Sequence, residues 1–203
     1  MNKTCADNTS LDSDNNQLSK YKKLLRDYII EEIKPNYFIS IQPPFDRKTQ
    51  HIPQYEEETK FIMKQFEKAL LGRRWNKHHF PFVIISENDT GKSTWHSHVL
   101  GNFTNILTGQ QIAQDQLEHA MDKADHGYRV KYGTKKGINV KIDRLDNEQS
   151  VKKAASYCTK EIWCQFLYDS EPARSETSCV IFGLENDRLD TRIKQKLLAG
   201  TNA

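Results

Sequence analysis

Two apolar stretches separated by a short polar turn constrain the fold of this chain more than any other feature. The first reads PFVIISE (81–87) and the second reads TWHSHVLGNF (94–103). Both are rich in the β-branched and aromatic residues that are typical of strands. The connecting NDTGKS (88–93) contains a glycine, which gives the backbone the freedom that a hairpin turn requires. The sequence therefore predicts a β-hairpin in the middle of the chain.

The rest of the chain alternates between helical spacing and strand-like runs. We predict helices over 18–33, 55–71, 108–124 and 147–167, and further strands over 36–42 and 138–145. Thr108 is the expected N-cap of the third helix. With the first helix set aside, the order β-α-β-β-α-β predicts an α+β fold of the ferredoxin-like (RRM-like) type. In that fold a single antiparallel sheet carries helices mainly on one face. The extra N-terminal helix and a helical C-terminal tail, near 189–198, would be additions to it.

Length and composition predict one folded domain. A chain of 203 residues can build one sizeable core and is short for two. Residues 1–16 are dominated by Asn, Asp, Ser and Thr, so we expect a disordered arm. Residues 17–203 then form the domain, with a core at about 36–167 and an extension at 168–203.

Several common classes of protein do not fit this sequence. No apolar run approaches the roughly 20 residues of a membrane span, and no secretory leader opens the chain. Its four cysteines (Cys5, Cys158, Cys164 and Cys179) form no CxxC pair, which argues against a structural zinc site. We expect reduced thiols and a cytoplasmic protein without a membrane partner.

The segment TGKST (90–94) looks like part of a phosphate-binding loop, but the surrounding sequence excludes that function. Such a loop needs the pattern GxxxxGK[ST], and the residue five positions before Gly91 is Ser86. The segment also precedes a strand, whereas a phosphate-binding loop opens a helix. A hairpin turn is the simpler interpretation.

The HSH pair in the second strand is the stronger candidate for chemistry. Alternate residues of a strand point to one face, so His96 and His98 project together, as two ligands of one metal should. Across a short hairpin, Glu87 can lie beside them. Two imidazoles and one carboxylate suit a divalent ion such as Mg²⁺ or Mn²⁺. By contrast, the adjacent His78 and His79 are interpreted as packing or DNA-side residues.

A possible nucleophile lies in the last predicted long helix, which contains YCTK (157–160). Tyr157 and Lys160 are three residues apart and share a helix face. A phenol has an ordinary pKa of about 10, and a nearby lysine charge eases its ionisation. The pattern alone also fits a half-buried tyrosine beside a surface lysine. Trp163 and Phe166, later in that helix, are assigned to the core.

Taken in order, these motifs resemble the HUH endonucleases, and more narrowly the single-tyrosine rolling-circle replication initiators (Rep proteins) of plasmids and single-stranded DNA viruses. FISIQP (38–43) is similar to their first motif, HSH to the second and YCTK to the third, over about 36–165. The tyrosine follows the histidines, as in Rep proteins and some transposases; relaxases have the reverse order. Ser97 departs from the pattern, which usually has a large apolar residue there. About 38 residues follow the tyrosine helix, too few for a helicase domain.

The resemblance implies a function and roles for individual residues. Glu87, His96 and His98 would bind Mn²⁺ or Mg²⁺, and Tyr157 would attack single-stranded DNA and remain linked to its 5′ phosphate. Lys160 would steady the phosphate charge. The candidate DNA contacts, on the first strand, in the basic stretch 129–141 and on the tyrosine helix, are Ser40, Gln42, Lys135, Lys136, Lys141, Lys152 and Lys153. The expected partners are an origin hairpin, a separate helicase and a host polymerase, in the cytoplasm or in the nucleus for a eukaryotic virus.

Three alternatives remain open at this stage. A transposase of a mobile element would use the same chemistry. A DNA-binding module that has lost catalysis has no need of a complete ligand set with a Tyr-Lys pair. A metal-dependent hydrolase that uses water would leave Tyr157 with a structural role, and a covalent DNA adduct would exclude it.

Overall fold

The chain forms an α+β fold in which helices cover both faces of a five-stranded antiparallel sheet. The computed structural model describes residues 19–20, 22–42, 44, 52–88, 95–105, 108–160 and 177–182. The strands are β1 (Tyr37–Gln42), β2 (Phe82–Asn88), β3 (Trp95–Gly101), β4 (Asn139–Arg144) and β5 (Thr177–Phe182), and their order across the sheet is β4-β1-β3-β2-β5. The helices are α1 (22–28, continued by a π-helical turn at Ile29–Ile33), α2 (Ile52–Leu71), α3 (Gln114–Tyr132) and α4 (Glu148–Lys160).

The predicted hairpin is present, and its register determines which side chains meet. Glu87 lies opposite His96 and Ile85 opposite His98, while Ser40 of β1 lies opposite His98 on the other side of β3. Because side chains alternate along a strand, Glu87, His96 and His98 all project from the same face of the sheet.

The face covered by α2 and α3 holds the main hydrophobic core. Tyr37, Ile39 and Ile41 of β1 pack there against apolar residues from both helices. At the end of β3, Phe103 is fully buried and meets Phe66, Phe80 and Phe82, with ring centroids 5.4–6.4 Å apart. Apolar residues at helical spacing on α2 and α3 close this face along its length.

The opposite face is covered by α1 and α4, so the prediction of helices mainly on one face is wrong. Leu25 and Ile29 of α1 and Ala155 and Cys158 of α4 pack on it, in contact with β2 and β3. The reason lies in β2. Its apolar run is continuous, so Phe82 and Ile84 face α2 and α3 while Val83 and Ile85 need cover on the other side.

The third helix begins and ends later than predicted. It spans Gln114–Tyr132 instead of 108–124, and its N-cap residue is Ala113, whose side chain makes no capping bond. Thr108 instead lies in a turn, where its hydroxyl accepts a hydrogen bond from the backbone N–H of Gln110. The helix is followed by Gly133, at a φ of 65°, a conformation that favours glycine.

The C-terminal part contains a strand that the sequence did not predict. Within the predicted extension at 168–203, the segment Thr177–Phe182 forms β5 and pairs with the outer edge of β2. The predicted arm at 1–16, the charged helix near 189–198, the end of the tyrosine helix beyond Lys160, and Trp163 and Phe166 lie outside the described residues. In the part that is described, no helix is long and apolar enough to span a bilayer.

Candidate metal centre

Three donor groups converge on the α1–α4 face where β2 and β3 approach their connecting turn. The Nε2 atoms of His96 and His98 lie 2.8 and 2.9 Å from the same Glu87 oxygen, Oε1. One donor atom from each residue can be chosen so that all three lie within 4.8 Å of one another. The hairpin register produces this arrangement directly, because Glu87 and His96 are a cross-strand pair and His98 is two residues further along the same face.

The centre is largely shielded from water. Glu87 and His98 are 8% and 5% exposed, whereas His96 is only partly buried. Burial of the Glu87 carboxylate would raise its pKa, but hydrogen bonds and positive charge from His96 and His98 outweigh burial and lower the pKa to about 2. The carboxylate is therefore ionised at neutral pH, which is the form that binds a cation.

Ser40 supports this centre from the neighbouring strand. Its hydroxyl lies 3.2 Å from Nδ1 of His98, the ring nitrogen that faces away from Glu87. A carboxylate only accepts hydrogen bonds, so Nε2 of His98 carries a hydrogen in this arrangement and Nδ1 of the neutral ring accepts one from Ser40. Once Nε2 gives up its hydrogen to act as a ligand, Nδ1 carries one and the same hydroxyl oxygen can accept it. Ser40 therefore orients His98 in both states.

The Glu87, His96 and His98 cluster fits a divalent metal ion. Two neutral imidazoles and one ionised carboxylate are a common ligand set, and three protein donors leave positions for substrate or water. Among the described residues, the donor atoms of the cluster hydrogen-bond to one another, so an ion would replace two shared hydrogens there. Among the described residues, no other group of three His, Cys, Asp or Glu side chains converges in this way.

Tyr157 lies beside the metal centre. Its ring packs edge-on against His98 with centroids 5.3 Å apart, and it also meets Phe38, which stacks on His98 at 5.1 Å. Tyr157 is 44% exposed, and it is the one aromatic residue among the large hydrophobic residues found exposed in the described part of the chain. The tyrosine is therefore held by aromatic contacts on one side and is accessible on the other. The Lys160 backbone ends α4, and its side chain is outside the described part of the structure.

The surface next to His96 is a shallow cleft on the exposed end of the sheet. It is lined by Ser40, Ile41, Gln42, His96, Asn139 and Lys141. Lys141 reaches this cleft because it lies opposite Ser40, but its Nζ already pairs with Asp143 at 2.7 Å. Three of the predicted DNA contacts, Ser40, Gln42 and Lys141, thus line a cleft that adjoins His96 of the metal centre.

The other basic candidates lie on separate surfaces. Lys135 and Lys136 are exposed in the connection between α3 and β4. Lys153 is exposed on α4, and Lys152 pairs with Glu148 one turn earlier. The structure shows no convergence of these lysines on the metal centre, and their contact with DNA stays a prediction.

A buried hydroxyl cluster on the opposite face explains Ser97, the residue that departs from the HUH pattern. Ser97 is fully buried, and its oxygen lies 2.8 Å from that of Ser86, 3.1 Å from the Tyr55 hydroxyl and 3.2 Å from the Thr59 hydroxyl. Tyr55 also donates to the carbonyl of Ile41. The cluster joins α2 to the three strands that carry the site. The sequence analysis missed Tyr55, Thr59 and Ser86; the cross-strand position of Ser86 and Ser97 was the only available signal.

The second histidine pair is separate from the metal centre, as predicted. Nδ1 of His79 lies 3.2 Å from the Glu67 carboxylate, which also accepts the backbone N–H of Phe80. His79 therefore helps to fix the chain between α2 and β2, at the far end of the sheet from Glu87.

Comparison of the chain with models of known protein families, with curated proteins and with solved structures finds no match. A functional assignment therefore depends on the residues of the site and on their geometry.

Proposed function

We propose that this protein cuts and rejoins single-stranded DNA in the manner of the HUH endonucleases, with Tyr157 as the nucleophile. The observation that carries the proposal is the direct contact of the accessible Tyr157 with His98 of the metal centre. A tyrosine packed for structural reasons alone has no need of a Glu-His-His cluster beside it. The three motifs, separated by up to about a hundred residues in sequence, meet on one face of the sheet.

The fold supports the same proposal. The order β4-β1-β3-β2 with antiparallel neighbours is that of the ferredoxin-like arrangement, which we assign to this sheet. In this assignment β5 and α1 are additions. The two central strands, β1 and β3, supply the first two motifs, and α4 brings the third onto the same face.

Glu87, His96 and His98 would hold Mg²⁺ or Mn²⁺, and such an ion supplies Lewis acidity toward a phosphodiester oxygen. The protein's own part is to fix these donors before the substrate arrives. Ser40 and Phe38 restrain His98, and the hydroxyl cluster under Ser97 restrains β3 from behind. Preorganised charge of this kind lowers the barrier because little rearrangement remains for the reaction itself.

Tyr157 would attack phosphorus through its phenolic oxygen. The new bond joins that oxygen to phosphorus, the bond from phosphorus to the 3′ oxygen breaks, and the departing 3′ oxygen gains the proton that the phenol loses. The products are a 5′-phosphotyrosine and a free 3′ hydroxyl. The reverse attack by a 3′ hydroxyl rejoins the strands. The exposure of Tyr157 is consistent with this role, since a DNA backbone must reach its oxygen.

The cleft beside His96 would hold the strand that is cut. Ser40, Gln42 and Asn139 line it with hydrogen-bonding groups, and Lys141, which pairs with Asp143 here, could turn its ammonium to a phosphate. Phosphate contacts of this kind position a strand without reading its sequence. The proposed biological role is initiation of rolling-circle replication at an origin hairpin, with a separate helicase and a host polymerase. A transposase would use the same site.

A covalent-capture experiment tests the chemistry. The protein is incubated with Mn²⁺ and a pool of single-stranded oligonucleotides, and the products are separated on a denaturing gel. The proposal predicts a protein band shifted by attached DNA that is absent for Tyr157→Phe and for reactions in EDTA. Tyr132→Phe, a half-buried tyrosine of α3 on the opposite face, is the matched control and keeps the adduct.

The gel also separates the competing mechanisms. Cleaved DNA without an adduct, retained in Tyr157→Phe, would show that water is the nucleophile and that Tyr157 is structural. Binding of oligonucleotides without cleavage, at every sequence in the pool and with metal bound, would favour a non-catalytic DNA-binding module. Sequencing the captured strand identifies the cut site.

A further inference from the structure

A concentrated basic surface lies at the end of α2, remote from the metal centre. Five cations occur between Lys64 and Lys77, whereas Glu67 is the one acidic residue between Thr59 and Phe80. Glu67 is buried and turned inward, toward His79 and the backbone of Phe80. We refer to the following residues as the α2-end patch: Lys64, Lys68, Arg73, Arg74, Trp75 and Lys77.

The fold brings these cations together without acidic partners among the described residues. Lys64 and Lys68 are four residues apart and share a face of α2, and their Nζ atoms lie 5.3 and 4.5 Å from the centre of the Trp75 ring. Like charges at this spacing repel each other, and the π face of the indole offsets only part of that repulsion. None of the five cations pairs with an acid among the described residues.

The helix dipole does not account for this much charge. One cation in the last turn, Lys68, is enough to complement the carboxyl end of α2. Arg73, Arg74 and Lys77 follow the helix in an exposed turn. From Lys64 to the end of α2 at Leu71 the helix rises about 10 Å, and the cations of the following turn continue the patch beyond that point. A DNA duplex presents several phosphates over such a distance.

We infer that the α2-end patch binds the phosphate backbone of double-stranded DNA. Proteins that hold single strands without sequence preference rely on aromatic rings for base stacking, and here two lysines already lie over the Trp75 ring. A duplex needs no stacking surface and carries the denser charge. The charge of the patch by itself indicates a polyanionic partner. The inference rests on the proposed function only in taking that polyanion to be a nucleic acid.

The position of the patch gives it a role different from that of the cleft. The patch precedes β2 and follows a helix of the α2–α3 face, whereas the metal centre lies at the other end of β2 on the α1–α4 face. The two are therefore separated by at least the length of the strand from Phe82 to Glu87, roughly 17 Å. A duplex held at the patch would be a different segment of the DNA from the single strand at the centre. The paired arm of a DNA hairpin is a substrate of that shape.

Anisotropy titrations without metal test the inference on the full chain. The probes are a labelled 20-base-pair duplex and one of its strands alone, in EDTA at about 100 mM salt. We expect Arg73→Glu to raise the duplex Kd about tenfold or more, and Arg73→Gln to reduce the slope of log K against log salt by about one. Lys123→Glu changes charge equally at an exposed position of α3 and should shift Kd less than about threefold. Arg74→Glu repeats the test if Arg73→Glu does not fold.

Three results would overturn the inference: wild-type protein that does not bind the duplex below about 0.1 mM, equal losses for Arg73→Glu and Lys123→Glu, or equal losses on duplex and single strand. Covalent capture of short single strands separates this from the proposed function. Arg73→Glu should still form the Tyr157 adduct. If the wild-type protein formed no adduct but Arg73→Glu still weakened duplex binding, the inference about the patch would stand and the proposed nuclease function would fail.

Discussion

The two faces of the sheet are packed to different degrees. The α2–α3 face is filled along its length by aromatic and aliphatic side chains, and Phe103 is enclosed there by three other phenylalanine rings. On the described part of the α1–α4 face, apolar packing surrounds Leu100, Val83 and Ile85, and the face becomes polar toward the β2–β3 turn, where His98 and Glu87 lie. Reactive groups occur where the packing stops. Stability and chemistry are thus assigned to opposite sides of the same strands.

We refer to the α2–α3 face as the closed face and to the α1–α4 face as the open face. The largest expected effect concerns Phe103 on the closed face. Phe103→Ala should lower the free energy of unfolding by about 3–5 kcal/mol, because it removes a fully buried ring and leaves a cavity. Urea denaturation measures the change. The matched variant is Phe38→Ala on the open face, which is half-buried and should lose less than half as much while weakening the Tyr157 adduct. Equal losses of stability would contradict the division between the faces.

The next effect concerns metal binding on the open face. His96→Ala should weaken Mn²⁺ binding by about a hundredfold or more, since a ligand is lost, with little change in unfolding because His96 is only partly buried. Calorimetric titration of Mn²⁺ measures the affinity. His79→Ala, which removes an imidazole paired with Glu67, is the control and should bind Mn²⁺ as the wild type does. Similar Mn²⁺ affinities for both variants would contradict the proposal that His96 is a metal ligand.

Two serines near the histidines give a finer test. Ser40→Ala should weaken Mn²⁺ binding about tenfold, because His98 loses the hydroxyl that orients it, with little effect on stability. Ser97→Ala should affect stability more than metal affinity and cost about 1–3 kcal/mol in unfolding, since it leaves buried hydroxyls without a partner. If Ser97→Ala reduced metal affinity as much as Ser40→Ala does, the two faces would not be independent.

The smallest effect is a pH dependence on the closed side. Burial raises the pKa of Glu67, although hydrogen bonds from Phe80 and His79 oppose the increase. The folded protein therefore holds the proton more tightly than the unfolded chain, and stability falls as pH rises from about 4.5 through the folded pKa. Glu67→Gln removes this loss. The melting temperature of Glu67→Gln minus that of the wild type should therefore become more positive from pH 4 to pH 7. A difference that becomes more negative over that range would contradict a raised pKa of Glu67.

The sequence was sufficient to predict the strands of the site and its donors. Alternation along β3 and the short hairpin were enough to bring His96, His98 and Glu87 together, because both are local properties. The antiparallel α+β architecture was also predicted correctly.

The failures involve contacts that local propensity does not reveal, most of them between distant segments. Helix α3 continues through Gly127 because Tyr128 is buried and donates to Glu58 of α2, a contact that local propensity does not reveal. Its start is delayed because Ile112 and Gln110 are hydrogen-bonded to Phe103 and Asn105. The cover on the second face and the pairing of β5 with β2 depend likewise on segments far apart in the chain.

The position of Ser97 between the two histidines has a consequence for how this protein can change. On β3, His96 and His98 lie on the face of the candidate metal centre, whereas Ser97 between them lies on the face of the hydroxyl cluster. Inserting or deleting one residue in the strand would exchange these two sets, placing an imidazole among the buried hydroxyls. A point substitution alters either a metal ligand or a member of the hydroxyl cluster. A shift of the strand by one residue would remove the ligands and the hydroxyl cluster together. We therefore expect β3 to tolerate many substitutions more readily than any change in its length.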